Sequence, residues 1–199
     1  SMNFQDGSKS IMRFAAPADV KNTALLSVDY DDGAKDDDQW LFLPSIKRTK
    51  RISSSSKSAS FMGSEFSYED LGSQEVEKYT HKLINEEKSK DGLDMWVIER
   101  TPKNKKSGYK RLKAWIVKKY QNPLKVEYFD RKNELLKTAT FSDYKQYKVK
   151  GKSLWRAGKI HMINVQTGKK STITWGNRKL GVEFDEDEFE KDSLLEQDF

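Results

Sequence analysis

The sequence predicts a mainly β protein in which consecutive strands pair into a long antiparallel meander. Hydrophobic and polar residues alternate with a period of two along most of the chain, which is typical of half-buried strands. Turn sequences such as "KDG" at 90–92 and "QTGKK" at 166–170 separate the strand-like runs by the few residues that hairpins use. A sheet of so many strands is expected to curl or close, because strand twist accumulates and open edges invite aggregation.

The strand-like runs follow one another from the first residues to the last third of the chain. Strands are predicted at 9–16, 23–30, 38–43, 46–52, 75–86, 93–101, 111–120, 124–130, 134–148, 154–167 and 171–180. Helix is predicted in three places: one turn at 17–21, the segment 64–71 and the tail at 186–196. In 64–71, Ser64 is a candidate cap and Ser67 is followed by Glu69 and Asp70, as at many helix starts.

Composition narrows the class of protein. The chain has 199 residues, of which 35% are hydrophobic and 34% charged, so one domain with a modest core is expected over residues 1–199. No run approaches the roughly 18 apolar residues that a membrane helix needs. The absence of cysteine excludes disulfides and Cys-based zinc sites.

Several strands are apolar on both sides, which means that the sheet needs a cover on each face. Trp40 and Phe42 alternate with Leu41 and Leu43. The same pattern places Met95 opposite Trp96, and Trp115 opposite Ile116. We expect one cover to be a packed helix and the other a ligand, with Trp40, Phe42, Met95 and Trp115 lining the ligand pocket.

A serine-rich stretch leads into an unusually apolar segment. Residues 53–60 predict a flexible loop, and residues 61–71 are interpreted as a lid that closes on the pocket through Phe61, Met62, Phe66, Tyr68 and Leu71. The alternative is that these side chains belong permanently to the core. Aromatic and methionine clusters are more often core than ligand contacts.

The order of motifs resembles a known family. The block "PADVKNTALLSVDYDDGAKDDDQWLFLPSIKRTKRISSSSKSASFMGSEFSYEDL" (17–71) closely resembles the LolA-like outer-membrane lipoprotein-sorting protein family of Gram-negative bacteria. The later "INVQTGKKSTITW" (163–175) looks like that family's closing hairpin. The resemblance runs over nearly all of the chain.

The resemblance implies an α+β fold in which a curled antiparallel sheet forms an unclosed half-barrel whose concave face is covered by a few helices. It also implies a non-enzymatic periplasmic carrier that holds lipoprotein acyl chains or another lipid and moves it between the inner and outer membranes, without a cofactor. An inner-membrane exporter and an outer-membrane acceptor are the implied partners. Members of the family usually carry a signal peptide and a further N-terminal helix and strands, which this chain is expected to lack.

The distribution of charged residues suggests a basic surface in addition to the predicted pocket. Acidic residues gather at 29–38 and in the acidic tail at 183–199, so the body between them is more basic than the net charge of +6 indicates. The strand around "IKRTKRI" is therefore a candidate for transient contact with anionic headgroups through Lys47, Arg48, Lys50 and Arg51. The alternative for these residues is a solvated face.

The sequence gives less support to calcium binding or catalysis than to a hydrophobic ligand. The acidic run from Asp29 has Gly33 and Trp40 at the fifth and twelfth positions, so it fails the EF-hand template, and an exposed loop is favoured over a calcium site. The two histidines, His81 and His161, lie far apart with no catalytic motif near them, and no enzyme activity or metal site is predicted.

Nucleic-acid binding is the rival function for a basic, aromatic-rich chain, but no RNP-like motif is present and no nucleic-acid partner is predicted. A third possibility is an interaction module that docks on an envelope transporter without carrying anything.

Overall fold

The fold is mainly β, as the sequence predicts. The structure is a computed structural model that describes residues 2–4, 7–32, 35–176 and 178–196. Strands account for 49% of it, and the helices within these residues are short. Strands β1–β14 have the following bounds: Met2–Phe4, Gly7–Arg13, Ala24–Tyr30, Asp38–Leu43, Arg48–Ile52, Tyr79–Lys88, Asp94–Pro102, Arg111–Val117, Asn122–Phe129, Leu135–Ser142, Lys145–Val149, Lys152–Arg156, Lys159–Asn164 and Lys170–Thr174.

The helices are single turns. The α-helices are α1 (Tyr68–Leu71) and α2 (Ser193–Glu196), and 3-10 turns lie at Pro44–Ile46, Ser54–Ser56, Val76–Lys78 and Glu186–Phe189. The chain divides into two compact units, the first made of the described residues of 1–62, 67–78 and 183–199, and the second of those of 63–66 and 79–182. The expectation of one domain over residues 1–199 stays a prediction.

The first unit contains a five-stranded antiparallel sheet in the order β1-β2-β3-β4-β5. Its central strand β3 is buried on both sides from Ala24 to Asp29. The register pairs Leu26 with Trp40 and Leu25 with Leu41, which confirms that β4 carries apolar residues on both faces. This sheet therefore has the two covers that its sequence requires.

The C-terminal segment supplies one of these covers. Phe189 and Leu194 are 6% and 1% exposed and pack in one cluster with Ala24, Leu26 and Phe42. Lys9 forms ion pairs with Glu186 and Glu190 of this C-terminal segment, at 3.2 and 2.9 Å. The tail at 183–199, predicted as acidic with a helix at 186–196, thus also contributes core residues, with 197–199 lying outside the described residues.

The second unit contains a seven-stranded antiparallel sheet in the order β14-β13-β10-β9-β8-β7-β6 and a separate hairpin, β11-β12. Neither strand order closes into a barrel. The meander is confirmed from β6 to β10. It is then interrupted, because the hairpin leaves the sheet before β13 returns beside β10.

Five local predictions need correction. The predicted strand 134–148 divides at Asp143, whose φ of +57° turns the chain, and 154–167 divides before Lys159. Residues 17–21 form a turn rather than a helix, and Ser67 rather than Ser64 caps α1, through a reciprocal capping box with Asp70. The predicted strand 171–180 ends at 174, and residue 177 lies outside the described residues, as do 33 and 34 of the acidic loop.

Candidate hydrophobic ligand site

The seven-stranded sheet carries an apolar face. Its register aligns Trp96 with Ile116, Ala114 with Val126, and Phe141 with Ile160, so like residues share one side across several strands. We call this side the apolar face; its members are Leu83, Trp96, Ile98, Leu112, Ala114, Ile116, Val126, Tyr128, Ala139, Phe141, Ile160, Met162 and Ile173. It forms a continuous hydrophobic band from β6 to β14.

The apolar face has a buried centre and a more accessible rim. Its central side chains, among them Leu112, Val126 and Met162, are at most 2% exposed. The rim residues Trp96, Ile98, Ile116, Phe141, Ile160 and Ile173 are half-buried, and Leu83 is exposed. Partly exposed apolar side chains in one band are the feature that hydrophobic ligands and partners use.

A buried cation lies at one end of the apolar face. Lys137 is 4% exposed, and its Nζ donates to the Glu65 carbonyl oxygen at 3.0 Å. The ammonium group also lies 5.3 Å and 5.4 Å from the ring centroids of Tyr109 and Tyr128, close enough for cation-π attraction. Asn164 Nδ2 donates to Glu65 Oε2 at 2.9 Å. Residues of β10 and β13 therefore both hydrogen-bond to Glu65.

The opposite face of the same sheet is charged. The register places Lys113 opposite Glu127 and Trp115 opposite Lys125. The Trp115 ring lies 4.8 Å from the Nζ of Lys113 and 4.5 Å from that of Lys125, and its Nε1–H donates to Glu87 Oε1 at 2.6 Å. This opposite face, which we call the charged side, also carries the buried apolar residues Met95, Val97 and Val117, so its charged residues occupy only part of it.

The structure separates the predicted pocket residues. Met95 is buried and shares the charged side with the half-buried Trp115, so these two do not lie on the apolar face. In the first unit, Phe42 is buried by the C-terminal segment, and Trp40 is half-buried with the Lys191 ammonium 5.0 Å from its ring. Their role in ligand binding stays a prediction.

The segment predicted as a lid is packed. Phe61, Phe66, Tyr68 and Leu71 are less than 9% exposed, whereas Met62 is exposed. The Phe61 ring lies 4.7 Å from that of Phe14 and 5.7 Å from that of Tyr68. The serine-rich loop is hydrogen-bonded to the predicted lid segment, because the Tyr68 and Glu69 N–H groups donate to the carbonyl oxygens of Ala59 and Lys57. The lid therefore remains a prediction, and movement of its aromatic residues would break core contacts.

The predicted basic surface lies on and beside an edge strand. Lys47 adopts a left-handed conformation just before β5, and Arg48, Lys50 and Arg51 lie on β5. All four side chains are exposed, and Arg51 forms an ion pair with Asp38. Charged residues on an edge strand also prevent pairing with other chains, and headgroup contact stays a prediction.

A cluster of three carboxylates, of which Asp29 is buried, surrounds Lys78 in the first unit. Lys78 Nζ is 2.7 Å from Asp37 Oδ1, 3.4 Å from Glu75 Oε2 and 3.9 Å from Asp29 Oδ1. Burial raises the pKa of Asp29 to about 6. Within the described ranges, no group of three or more His, Cys, Asp and Glu side chains is arranged to hold a metal ion, and no helix is long and apolar enough to span a membrane.

Sequence reasoning missed the apolar face and the C-terminal cover. The signal for the face was present in neighbouring strands, because Lys113, Lys125 and Glu127 alternate with Ala114 and Val126. That alternation fixes which side of the two-sided strands β7 and β8 joins the charged surface. The signal for the cover was weaker, since Phe189 and Leu194 stand alone among acidic and polar residues.

Comparisons with known proteins extend over most of the chain. A family model described as "uncharacterized protein" matches residues 6–196. An outer membrane lipoprotein-sorting protein domain from Vibrio parahaemolyticus is 45% identical, with 96% of this chain and 78% of that chain covered and a TM-score of 0.81. No curated protein matches the chain in sequence.

Two further solved structures are similar. A DUF1329 family protein from Desulfovibrio piger is 36% identical, with 94% of this chain and 76% of that chain covered and a TM-score of 0.84. A LolA superfamily protein from Nitrosomonas europaea is 23% identical, with 94% and 79% covered and a TM-score of 0.70. At that identity the last likeness shows the fold alone.

Proposed function

The chain belongs to the LolA-like outer-membrane lipoprotein-sorting protein family, and on this basis we propose that it is a non-enzymatic carrier of lipoprotein acyl chains or another lipid. Family membership supports a periplasmic location and a route between the inner and outer membranes. An inner-membrane donor and an outer-membrane acceptor complete that route.

The observation that carries the proposal is the apolar face of the seven-stranded sheet, whose rim side chains are partly exposed. Trp96, Ile98 and Ile116 form an accessible edge of this face beside the buried centre. Each methylene group transferred from water to such a surface contributes about 0.8 kcal/mol. One acyl chain lying along the face therefore gains enough free energy to stay out of water.

The other predicted contacts require rearrangement. A ligand that reaches Trp40 and Phe42 must displace the C-terminal segment, and one that reaches Phe61 or Tyr68 must open the packed lid segment. We therefore assign first contact to the apolar face. Conformational opening of the packed segments is a means of enlarging the site after contact.

The test compares two neighbouring residues of β14 that face opposite sides. Ile173 lies on the apolar face and is half-buried, whereas Thr172 lies on the charged side and is exposed. Ile173→Asp is expected to weaken uptake of a fluorescent fatty acid by about tenfold or more, because a carboxylate against an acyl chain loses hydration. Thr172→Asp introduces the same charge and is expected to change uptake less than about twofold.

Circular dichroism and urea unfolding establish that both variants fold. Equal loss of uptake in the two folded variants would contradict the assignment of the apolar face. Failure of the unaltered protein to take up any fatty acid, phospholipid or acylated peptide would contradict the carrier function and favour a docking module.

A further inference from the structure

The β11-β12 hairpin is strongly and uniformly basic. Residues 144–159 contain six Lys and Arg side chains and no Asp or Glu. None of Lys145, Lys148, Lys150 and Lys152 forms an ion pair with a described residue. This concentration of positive charge belongs to the second unit, whereas the basic strand β5 belongs to the first.

One side of the hairpin is anchored to the large sheet by aromatic stacking. The Trp155 ring lies 4.4 Å from that of Tyr120, which in turn stacks on Tyr144 at 5.1 Å. Asn122 Nδ2 donates to the Trp155 carbonyl oxygen at 3.2 Å. The anchor fixes the hairpin, so the side that carries Lys145, Tyr147 and Val149 faces away from this stack.

A cavity of about 360 Å³ opens at the base of that side. Its walls are Asp143, Lys145, Tyr147, Gly158, Thr174, Trp175 and Arg178. The Arg178 guanidinium group lies 5.4 Å from the Trp175 ring, which is 37% exposed. The cavity thus combines two cationic groups with two amphipathic aromatic rings.

The single carboxylate in the wall is already paired. Asp143 Oδ2 lies 3.4 Å from Lys159 Nζ, so among the described residues it forms its ion pair with Lys159 rather than with Lys145 or Arg178. The chain after Arg178 passes close to the hairpin, since a Cβ placed on Gly181 would lie 3.3 Å from Val149 Cγ1. This close approach holds the wall that carries Arg178 beside the hairpin.

We propose that the hairpin and this cavity form a docking surface for the phosphate headgroups of an anionic bilayer. A guanidinium group and an ammonium group bind phosphate oxygens, and Trp and Tyr side chains suit the level of the headgroups in a membrane. The four unpaired lysines of the hairpin add attraction to the surface as a whole. The surface extends the proposed carrier function but does not depend on it, because docking requires no bound ligand.

The experiment measures binding of the ligand-free protein to vesicles by co-sedimentation at 0.1 M salt. Vesicles made of phosphatidylcholine and phosphatidylglycerol are compared with vesicles of pure phosphatidylcholine, because anionic lipids attract basic segments. Each basic residue at such a surface contributes about a fivefold factor in partitioning. The triple variant K145Q/K152Q/R178Q is therefore expected to bind the anionic vesicles roughly 100-fold more weakly.

The matched control removes the same charge from another exposed loop of the second unit. K103Q/K105Q/K106Q is expected to weaken binding by less than about fivefold, since it leaves the hairpin and cavity intact. Equal weakening of the two variants, or equal binding to both vesicle types, would overturn the proposal. Loss of vesicle binding in the presence of millimolar inorganic phosphate at constant ionic strength would identify free phosphate as the occupant and would also overturn it.

Failure of the membrane-docking proposal is distinguishable from failure of the proposed carrier function. Vesicle binding uses protein without ligand, whereas the carrier function is tested by uptake in the absence of vesicles. W175A provides a second probe, because it removes the interfacial ring without changing charge. It is expected to weaken binding to the anionic vesicles by about fivefold, and no change would count against a role for the cavity.

Discussion

Replacing Asp29 with asparagine is expected to stabilise the protein at neutral pH and to have almost no effect near pH 4. Asp29 is 2% exposed on β3, and burial raises the pKa of its carboxyl group to about 6 from an ordinary value of 3.8. The Ser73 N–H donates to it at 3.0 Å, and Lys78 Nζ is 3.9 Å away. These favourable contacts only partly offset the cost of burying the ionised Asp29 carboxylate. The negative charges of nearby Asp37 and Glu75 oppose its ionisation further.

The magnitude follows from the pKa difference. About two pKa units separate the folded and unfolded states, and each is worth about 1.4 kcal/mol, so ionising Asp29 costs about 3 kcal/mol of unfolding free energy. Because the folded pKa is raised, the native state binds more protons, and this stability is present below pH 3.8 and is lost as pH rises through about 6. An asparagine stays neutral and still accepts from Ser73. Allowing for lost attraction to Lys78, we expect a gain of about 1–2 kcal/mol at pH 7.5.

The assay is urea unfolding of both proteins at pH 4, 5.5 and 7.5, followed by tryptophan fluorescence. All other ionisable groups are the same in the two proteins, so the difference between the two curves reports the charge of Asp29 together with its coupling to its neighbours. Asp91→Asn, in an exposed turn, serves as the control and is expected to change stability by less than about 0.5 kcal/mol. A lower stability of the Asp29→Asn protein at pH 7.5, or a difference independent of pH, would refute the reasoning.

Three further substitutions, one of them with a glycine control, test the packing by urea unfolding. Leu194→Ala is expected to lower the unfolding free energy by about 2–5 kcal/mol because this side chain is 1% exposed; a loss below about 0.5 kcal/mol would show that the C-terminal cover does not contribute. Gly7→Ala is expected to cost several kcal/mol, since its Cβ would lie 2.0 Å from the Asp29 carbonyl oxygen, whereas Gly92→Ala, with open space around it, is expected to cost only about 1–2 kcal/mol. Lys137→Ala is expected to cost about 2–4 kcal/mol through a lost charged hydrogen bond and cation-π contacts; an unchanged midpoint would contradict that account.

Strands with strict alternation and clear turns were predictable from sequence. The strand at 38–43 has the predicted bounds, and β7 and β8 begin within one residue of the predicted positions. Prediction fails where a short break interrupts a long strand-like run. Asp143 adopts a positive φ value and only Ala157 and Gly158 separate β12 from β13, and the pattern of hydrophobic residues reveals neither break, so it merges β11 with β10 and β12 with β13.

The candidate site was harder to predict because two-sided strands do not identify the ligand face. Met95 and Trp96 are equally apolar, and only cross-strand neighbours from β9 and β10 place one on the charged side and the other on the apolar face. The cover from Phe189 and Leu194 depends on contacts separated by more than 140 residues from β3 and β4. Sequence periodicity carries no information on such pairings.

The measurement that tests the carrier function most directly is native mass spectrometry of protein purified gently from a Gram-negative host, followed by organic extraction. The account predicts added mass that matches a phospholipid, a fatty acid or an acylated species, and its reduction in the Ile173→Asp variant but not in the Thr172→Asp variant. A clean ligand-free mass, with no uptake of added lipid by the folded protein, would contradict it.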